Sequence, residues 1–291
     1  MREYVIFTDS SADLDIKMVE ECGLDIQPLT FNLDGTSYEN WPDERSLSSK
    51  EFYAKLRTGS MSSTSQVNVA AFVEAFKKIL DAGKDVLYLG FSSALSGTVH
   101  SGVLAAEELA AEYPDAKVLV VDTLAASLGQ GLLVWHAVQK KREGMSIEEL
   151  ASWVEENKLK MAHWFTVNDL GFLKRGGRVS GTAAMLGTML NIKPVMHVDD
   201  AGRLIPKEKV RGRKQSLNAL LKHMEETGEN LSEQTVFISH GDCLEEAQEL
   251  AETMKQRFGV QDVYINYVGP VIGSHSGPGT MAIFFFATGR E

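Results

Sequence analysis

The sequence predicts an α/β protein of two domains, with a mostly parallel, Rossmann-like sheet and flanking helices in the first half and a mixed sheet in the second. Short apolar runs alternate with helical patterns along nearly all of the 291 residues, as in parallel α/β sheets. Two later runs, 193–198 and 204–210, flank Asp199-Asp200-Ala201-Gly202, which has the composition of a hairpin loop. No low-complexity linker separates the halves, so we expect a ligand cleft between closely packed domains.

The predicted elements follow from periodicity and from capping signals. Ser146 and Glu149 form a capping-box pattern, and Gly144 ends the helix before it. Two consecutive helices precede strand 161–167, so we place the boundary between domains 1–158 and 159–291 there. Predicted strands are 5–8, 26–33, 86–90, 117–121, 161–167, 193–198, 204–210, 235–239, 263–268 and 281–287. Predicted helices are 12–22, 48–56, 68–80, 96–111, 126–142, 146–156, 183–190, 214–226 and 244–258.

Composition excludes several classes of protein. A net charge of −11 argues against general nucleic-acid binding, which needs a basic face. Cys22 and Cys243 are too few for a disulfide framework, which favours a reducing cytoplasm. The first apolar run stops at Thr8, as a strand does and a signal peptide does not. The run 281–287 is far too short to span a membrane, so we expect a cytoplasmic protein.

The segment from Ser92 to Thr98 carries the strongest functional signal. An apolar strand, 86–90, opens there into a hydroxyl-rich helix start, a combination that binds carboxylate or phosphate through backbone N–H groups and hydroxyls. The same residues are one step from the G-x-S-x-G elbow that holds a nucleophilic serine. Both interpretations remain open at this point.

Three further polar segments accompany it: 8–13, 62–66 and 275–280. Each could be a simple cap or turn, but loops at the carboxyl ends of parallel strands meet at one edge of a sheet. Together they predict a shared polar site. Within them, His275 lies in a glycine-rich loop where a ligand can approach closely.

Other motifs are weaker. The histidines lack metal-ligand spacing, so we expect no metal. The two Gly-x-Gly segments, 129–131 and 277–279, lack the strand–loop–helix context of a dinucleotide site, so we expect no cofactor. Arg178 follows two glycines, a setting that suits a guanidinium close to an anion. Residues 203–214 contain six basic residues and one acid, which fits either a solvated strand or a docking patch for an acidic partner or membrane surface.

Taken in order, these segments resemble those of the DegV family of bacterial fatty-acid-binding proteins. The resemblance is collinear and covers essentially the whole chain. Val67 and the Val99-His100 pair depart from the usual pattern and affect the expected shape of the tunnel. The matching residues are Thr8-Asp9-Ser10-Ser11, Thr64-Ser65-Gln66, Ser92 to Thr98, Val121-Asp122, Gly129-Gln130-Gly131, Gly176-Gly177-Arg178, Asn191-Ile192-Lys193-Pro194, Gly202, Arg211, Arg213 and His275 to Gly279.

The resemblance implies a carrier and not an enzyme. Such a protein holds one long-chain fatty acid in a buried apolar tunnel and presents its carboxylate to a fatty acid kinase, which makes an acyl phosphate for phospholipid synthesis. It implies that the kinase subunit or, transiently, a membrane surface is engaged near Arg211 and Arg213. It also implies carboxylate contacts from Thr64, Ser92, Ser93, Arg178 and His275.

The main alternative is a serine esterase with Ser92 as nucleophile, Asp122 as orienting acid and His275 as base. That chain order matches the order in α/β-hydrolases, but no HGGG-type oxyanion loop is present. A further alternative is a regulator that binds phosphate or a phosphosugar with the same loops.

Overall fold

A computed structural model describes residues 2–179 and 191–290. These residues form a four-stranded sheet, a six-stranded sheet and a small three-stranded sheet. The predicted α/β class is therefore confirmed. The predicted helix 183–190 lies outside the described residues.

Strands and helices are numbered here in chain order within the described residues. The strands are β1 (Tyr4–Asp9), β2 (Asp25–Gln27), β3 (Thr30–Leu33), β4 (Thr36–Glu39), β5 (Ser62–Ser65), β6 (Asp85–Gly90), β7 (Val118–Asp122), β8 (Met161–Thr166), β9 (Ile192–Val198), β10 (Leu204–Arg211), β11 (Thr235–His240), β12 (Asp262–Tyr267) and β13 (Met281–Phe286). The α-helices are α1 (Ile16–Cys22), α2 (Ser49–Arg57), α3 (Val69–Asp81), α4 (Thr98–Leu109), α5 (Leu128–Arg142), α6 (Ile147–Asn157), α7 (Gly171–Arg175), α8 (Arg213–Thr227), α9 (Leu244–Phe258) and α10 (Pro270–Ser276).

The first sheet has the order β2-β1-β6-β7, and every neighbouring pair is parallel. Strand β6, one of the two central strands, is buried along its full length, as expected for a strand covered on both faces. The loops that follow β1, β6 and β7 emerge at one edge, which brings the predicted polar segments at 8–13 and 92–98 to the same end of the sheet. Helix α6 begins with the predicted Ser146–Glu149 capping box.

The small sheet, with the order β4-β3-β5, differs from the prediction. The single strand expected at 26–33 is two strands: β2 joins the parallel sheet, whereas β3 pairs antiparallel with β4 and β5. Pro28 lies at the break, and proline cannot donate a ladder hydrogen bond. The hydroxyl-rich segment expected to be a loop is strand β5, whose alternating burial places Ser62 and Thr64 on one side.

The second large sheet has the order β10-β9-β8-β13-β11-β12. Its β11–β12 pair is parallel and the other pairs are antiparallel, so the predicted mixed sheet and the β9–β10 hairpin are confirmed. Every strand of this sheet comes after residue 158 and every strand of the other two sheets comes before it. The division into domains 1–158 and 159–291 stays a prediction.

Helix α5 lies between the two large sheets. It contacts β1 and β6 of the parallel sheet and β8, β11 and β13 of the mixed sheet. Leu132 and Leu133 are completely buried and share a core with Leu87 and Phe237, one from each sheet. A helix packed on opposite sides is apolar around much of its circumference. This shared core fixes how the loops of one sheet face the surface of the other.

Candidate functional site

A cavity of about 260 Å³ lies where the loops of the parallel sheet face the mixed sheet. Its wall is mostly apolar, with side chains from the β6 and β7 loops, from strands β8 and β13, and from helix α10. The apolar lining residues are Leu29, Phe91, Leu95, Ala126, Phe165, Leu173, Val198, Leu204, Val268, Val271, Ile272, Ala282 and Phe284. A cavity of this kind fits an apolar ligand with one polar group.

Two of the predicted carboxylate residues, Thr64 and His275, meet in the wall of this cavity. Thr64 Oγ1 and His275 Nε2 are hydrogen-bonded at 2.7 Å. Thr64 comes from β5 and His275 from the last turn of α10, 211 residues later. The other ring nitrogen, Nδ1, is buried and has no hydrogen-bond partner among the described residues. A small residue is required beside it, since a Cβ at Gly176 would lie 2.1 Å from Nδ1.

His275 is neutral at neutral pH. Burial, with the nearby positive charge of Arg178 acting in the same direction, lowers the pKa of its imidazole to about 4. A neutral imidazole has one N–H and one lone pair, so its two nitrogens play different hydrogen-bonding roles. It can therefore donate to a ligand oxygen without adding a second positive charge to the site.

Arg178, also predicted, lines the same cavity. Its Nε donates to the Leu95 carbonyl at 3.2 Å and its Nη1 donates to the Gly176 carbonyl at 2.5 Å. Burial lowers the pKa of its guanidinium. The structure records no ion pair between Arg178 and a carboxylate among the described residues. Backbone carbonyls thus hold this guanidinium, and no carboxylate in residues 2–179 and 191–290 forms an ion pair with it.

Ser92 and Ser93, predicted for the same role, do not line this cavity. Ser92 is completely buried, and its hydroxyl donates to the Gly202 carbonyl at 2.9 Å. Ser93 is exposed, and its backbone N–H donates to Asp122 Oδ1. The reason is a tight turn after β6, in which the N–H groups of Leu95 and Ser96 both donate to the Ser92 carbonyl. This turn directs the first serine into the protein.

Within the segment from Ser92 to Thr98, Ser96 lines the cavity; the sequence assigned no separate role to this serine. Thr64, Gln66 and Gly97 line the same cavity, and Gly97 lies close to the Gln66 side chain. The Ser96 hydroxyl is hydrogen-bonded to Thr98 Oγ1 at 2.9 Å, at the start of helix α4. The sequence feature that could have identified Ser96 is its position two residues before that helix, where hydroxyls lie close to the unpaired N–H groups of the first turn.

The structure contradicts the alternative triad of Ser92, Asp122 and His275. The Ser92 hydroxyl is committed to Gly202, and the imidazole of His275 is bonded to Thr64. Asp122 accepts hydrogen bonds from the backbone N–H groups of Ser93 and Leu124. A nucleophile needs a base within hydrogen-bond reach, and these three side chains are bonded elsewhere.

Sequence reasoning also missed Ser127, which lines the cavity at the start of α5. Its backbone has φ 53° and ψ −145°, close to a region that only glycine adopts easily. Its hydroxyl donates to Asp13 Oδ2 at 2.5 Å, and burial raises the pKa of that carboxyl to about 8. The strained residue thus ties the β1 loop to the α5 helix across the cavity wall.

The basic segment is only partly available for docking. Arg213 is paired with Glu246, with 2.8 Å between Nη2 and Oε2. Arg211 is exposed, as are Lys207 and Lys209, and the three alternate along edge strand β10. Of the two predicted docking residues, the structure therefore leaves Arg211 on the surface and holds Arg213 in an ion pair.

Among residues 2–179 and 191–290, no helix is both long enough and apolar enough to cross a membrane. Within those same ranges, no three His, Cys, Asp or Glu side chains come together in a way that could hold a metal ion.

Comparisons with known proteins agree over the whole chain. Residues 3–288 match the family model described as uncharacterised proteins of the DegV family. A DegV domain-containing protein of Clostridium perfringens is 52% identical over 291 residues, 100% of each chain. Another, from Lactococcus lactis, is 38% identical over 97% of this chain and 96% of its own.

Solved structures show the same fold. A DegV-family protein of Thermus thermophilus, described for its fatty acid binding, superimposes with a TM-score of 0.85 at 33% identity, covering 99% of this chain and 100% of its own. DegV of Bacillus subtilis, described as a fatty acid binding protein, has a TM-score of 0.86 at 27% identity over the same shares. With a family match over nearly every residue and a relative more than half identical, this chain belongs to the DegV family.

Proposed function

We propose that this protein binds a long-chain fatty acid in the cavity, with its carboxylate held by Thr64, Ser96, Arg178 and His275. The single observation that carries the proposal is the Thr64–His275 hydrogen bond in the wall of a mostly apolar cavity. Fatty acid binding by DegV-family proteins of Thermus thermophilus and Bacillus subtilis supports the ligand class.

The energetics suit a carrier. Each buried methylene contributes about 0.8 kcal/mol, so a chain of about 15 contributes on the order of 12 kcal/mol before other terms. Ordering and association oppose binding by several kcal/mol, which leaves tight but reversible affinity. A carboxylate buried without donors is strongly unfavourable. Hydroxyls from Thr64 and Ser96 and the guanidinium of Arg178 supply donors in the wall of the cavity.

The proposal extends to a partner. The bound carboxylate is presented to a fatty acid kinase subunit, and the product is an acyl phosphate for phospholipid synthesis. A carboxylate oxygen forms a bond to the γ-phosphorus of ATP while the bond from that phosphorus to ADP breaks. Arg211 on the exposed strand β10 is the proposed docking residue, with transient contact to an anionic membrane surface by the same charges.

Mass spectrometry of the freshly purified and then denatured protein tests the binding. We expect a fatty acid of about 14 to 18 carbons in the extract, since that length supplies the methylene burial estimated above. A bound phosphosugar with no fatty acid would contradict the proposal.

Variants locate the carboxylate. Ser96→Ala and Thr64→Ala each remove a donor, so we expect fatty acid affinity to fall by about tenfold, the effect of losing one hydrogen bond to a charged group. Ser93→Ala is the matched control, because that exposed serine lies outside the cavity in the same segment. Equal loss in Ser93→Ala and Ser96→Ala would argue against the assignment.

The proposed interaction with a fatty acid kinase subunit is tested separately. Arg211→Ala should leave fatty acid binding unchanged but slow acyl phosphate formation when the loaded protein is mixed with a fatty acid kinase subunit and ATP, because it removes an exposed charge at the proposed contact. Lys222→Ala, which removes an exposed charge on helix α8, is the control. Loss of ligand binding in Arg211→Ala would contradict the docking role.

A further inference from the structure

A second pocket, of about 260 Å³, lies on the outer side of the carboxylate site. It shares three lining residues with the main cavity: Thr64, Arg178 and His275. The hydrogen bond between Thr64 and His275 is therefore part of the wall that separates the two spaces. A group attached to a bound carboxylate, or brought against it, would enter this outer pocket.

The chemistry of the outer pocket is cationic and hydroxylic. Its lining includes two guanidiniums and a run of serines, and no aspartate or glutamate. The chain as a whole has a net charge of −11, so this pocket is a local region of positive charge. The polar lining residues are Ser60, Ser62, Ser63, Thr64, Arg175, Arg178, Ser274 and His275.

Arg175 is the charged residue that lines the outer pocket and not the cavity. It lies in the last turn of α7 with its guanidinium 4.5 Å from the centre of the Phe172 ring. Stacking on an aromatic face orients the planar fork and limits its rotamers. The side chain is exposed, and the structure records no ion pair for it with a described carboxylate.

The wall shared by the cavity and the outer pocket also contains the imidazole of His275. His275 Nδ1 is buried without a hydrogen-bond partner among the described residues, although Nε2 of the same ring is bonded to Thr64. Planar guanidiniums bind tetrahedral oxyanions through paired hydrogen bonds, and hydroxyls complete the coordination of their oxygens. Two arginines and several hydroxyls line this pocket, and they are the donor set that such an anion needs.

We propose that this outer pocket is a phosphoryl subsite. It receives the phosphoryl group next to the fatty acid carboxylate, and Arg175 is the residue that binds this group specifically. The inference rests on the proposed function for the position of the carboxylate. The phosphoryl oxyanion could be part of the bound acyl phosphate or a separate phosphate, and both present the same tetrahedral oxygens to Arg175.

The test uses the full-length, delipidated protein and two acyl probes, palmitate and 2-oxoheptadecylphosphonate, in which a methylene replaces the bridging oxygen of palmitoyl phosphate. We expect Arg175→Gln to weaken phosphonate binding by about tenfold or more, the effect of losing one charge-assisted contact, and to leave palmitate affinity unchanged. Lys174→Gln is the matched control, since it removes the adjacent exposed charge of the same helix and does not line the pocket.

A titration of the palmitate-loaded protein with inorganic phosphate separates the two sources. Saturable phosphate binding that is lost in Arg175→Gln supports a subsite for a separate phosphate. Selective loss of phosphonate binding alone supports a subsite for the acyl phosphate. Equal phosphonate affinity in wild type, Arg175→Gln and Lys174→Gln would overturn the inference. Failure of the wild type to bind palmitate would instead overturn the proposed function.

Discussion

At the scale of single residues, the site depends on groups whose hydrogen bonds are decided by neighbouring backbone. Ser92 and Ser96 are four residues apart and chemically identical, but one donates to a buried carbonyl and the other lines the cavity. The difference comes from one tight turn, in which the Ser92 carbonyl accepts from two N–H groups. Hydroxyl identity therefore predicts that this segment is polar, and turn geometry selects the functional hydroxyl.

His275 gives a prediction at this scale. Its pKa is lowered from 6.5 to about 4 in the folded protein. Between these values the unfolded chain binds a proton that the folded protein does not, so the free energy of unfolding falls as pH decreases from 6.5 towards 4. His275→Gln removes this group, so we expect a shallower pH dependence in urea unfolding of the delipidated protein between pH 7 and pH 5.

The control for that measurement is His100→Gln, at an exposed position in α4. It should leave the pH dependence as in the wild type. The same slope in all three proteins would show that His275 is not the source of the effect.

At the scale of elements, strand and helix periodicity predicted most of the fold. The parallel strands and the β9–β10 hairpin follow from alternation and from the loop Asp199 to Gly202. The prediction was wrong at 26–33, where Pro28 splits one apolar run between two sheets, and at Ser62–Ser65, which forms a strand. Four hydroxyl residues have no apolar alternation, so only pairing with β3 defines β5 as a strand.

Local sequence patterns were also insufficient to predict the contacts within the site. Thr64 and His275 come from β5 and α10, elements far apart in sequence that meet through the small sheet and α10 packing against each other. Glycine-rich composition around His275 indicated a close approach, but the approach is made by the protein itself at Gly176. Collinear motifs thus identified the polar segments, whereas the contacts between them depend on tertiary packing that no local pattern encodes.

At the scale of the whole molecule, one side chain connects segments from both halves of the chain. Arg290 is only 5% exposed. Its guanidinium donates to four backbone carbonyls at 2.7 to 3.2 Å. One belongs to the β7–α5 loop, two flank the start of β8, and one follows β9: Leu124, Lys158, Met161 and Asp199. The guanidinium therefore fixes the β7–α5 loop, which carries the cavity residue Ser127, to the mixed sheet.

Arg290→Lys tests this connection. A lysine keeps the positive charge, but its compact ammonium lacks the planar fork of five N–H donors and cannot reach four carbonyls in different directions. Each buried carbonyl left without a donor costs about 1–3 kcal/mol, so we expect the urea midpoint to fall by the equivalent of at least about 2 kcal/mol. Arg203→Lys, an exposed position whose pair with Asp199 is 3.8 Å long, should change the midpoint little. Arg290→Lys should also weaken fatty acid binding, because Leu124, whose carbonyl Arg290 holds, lies three residues before Ser127, which lines the cavity. Unchanged stability and unchanged affinity would show that the four contacts do not hold the two halves together.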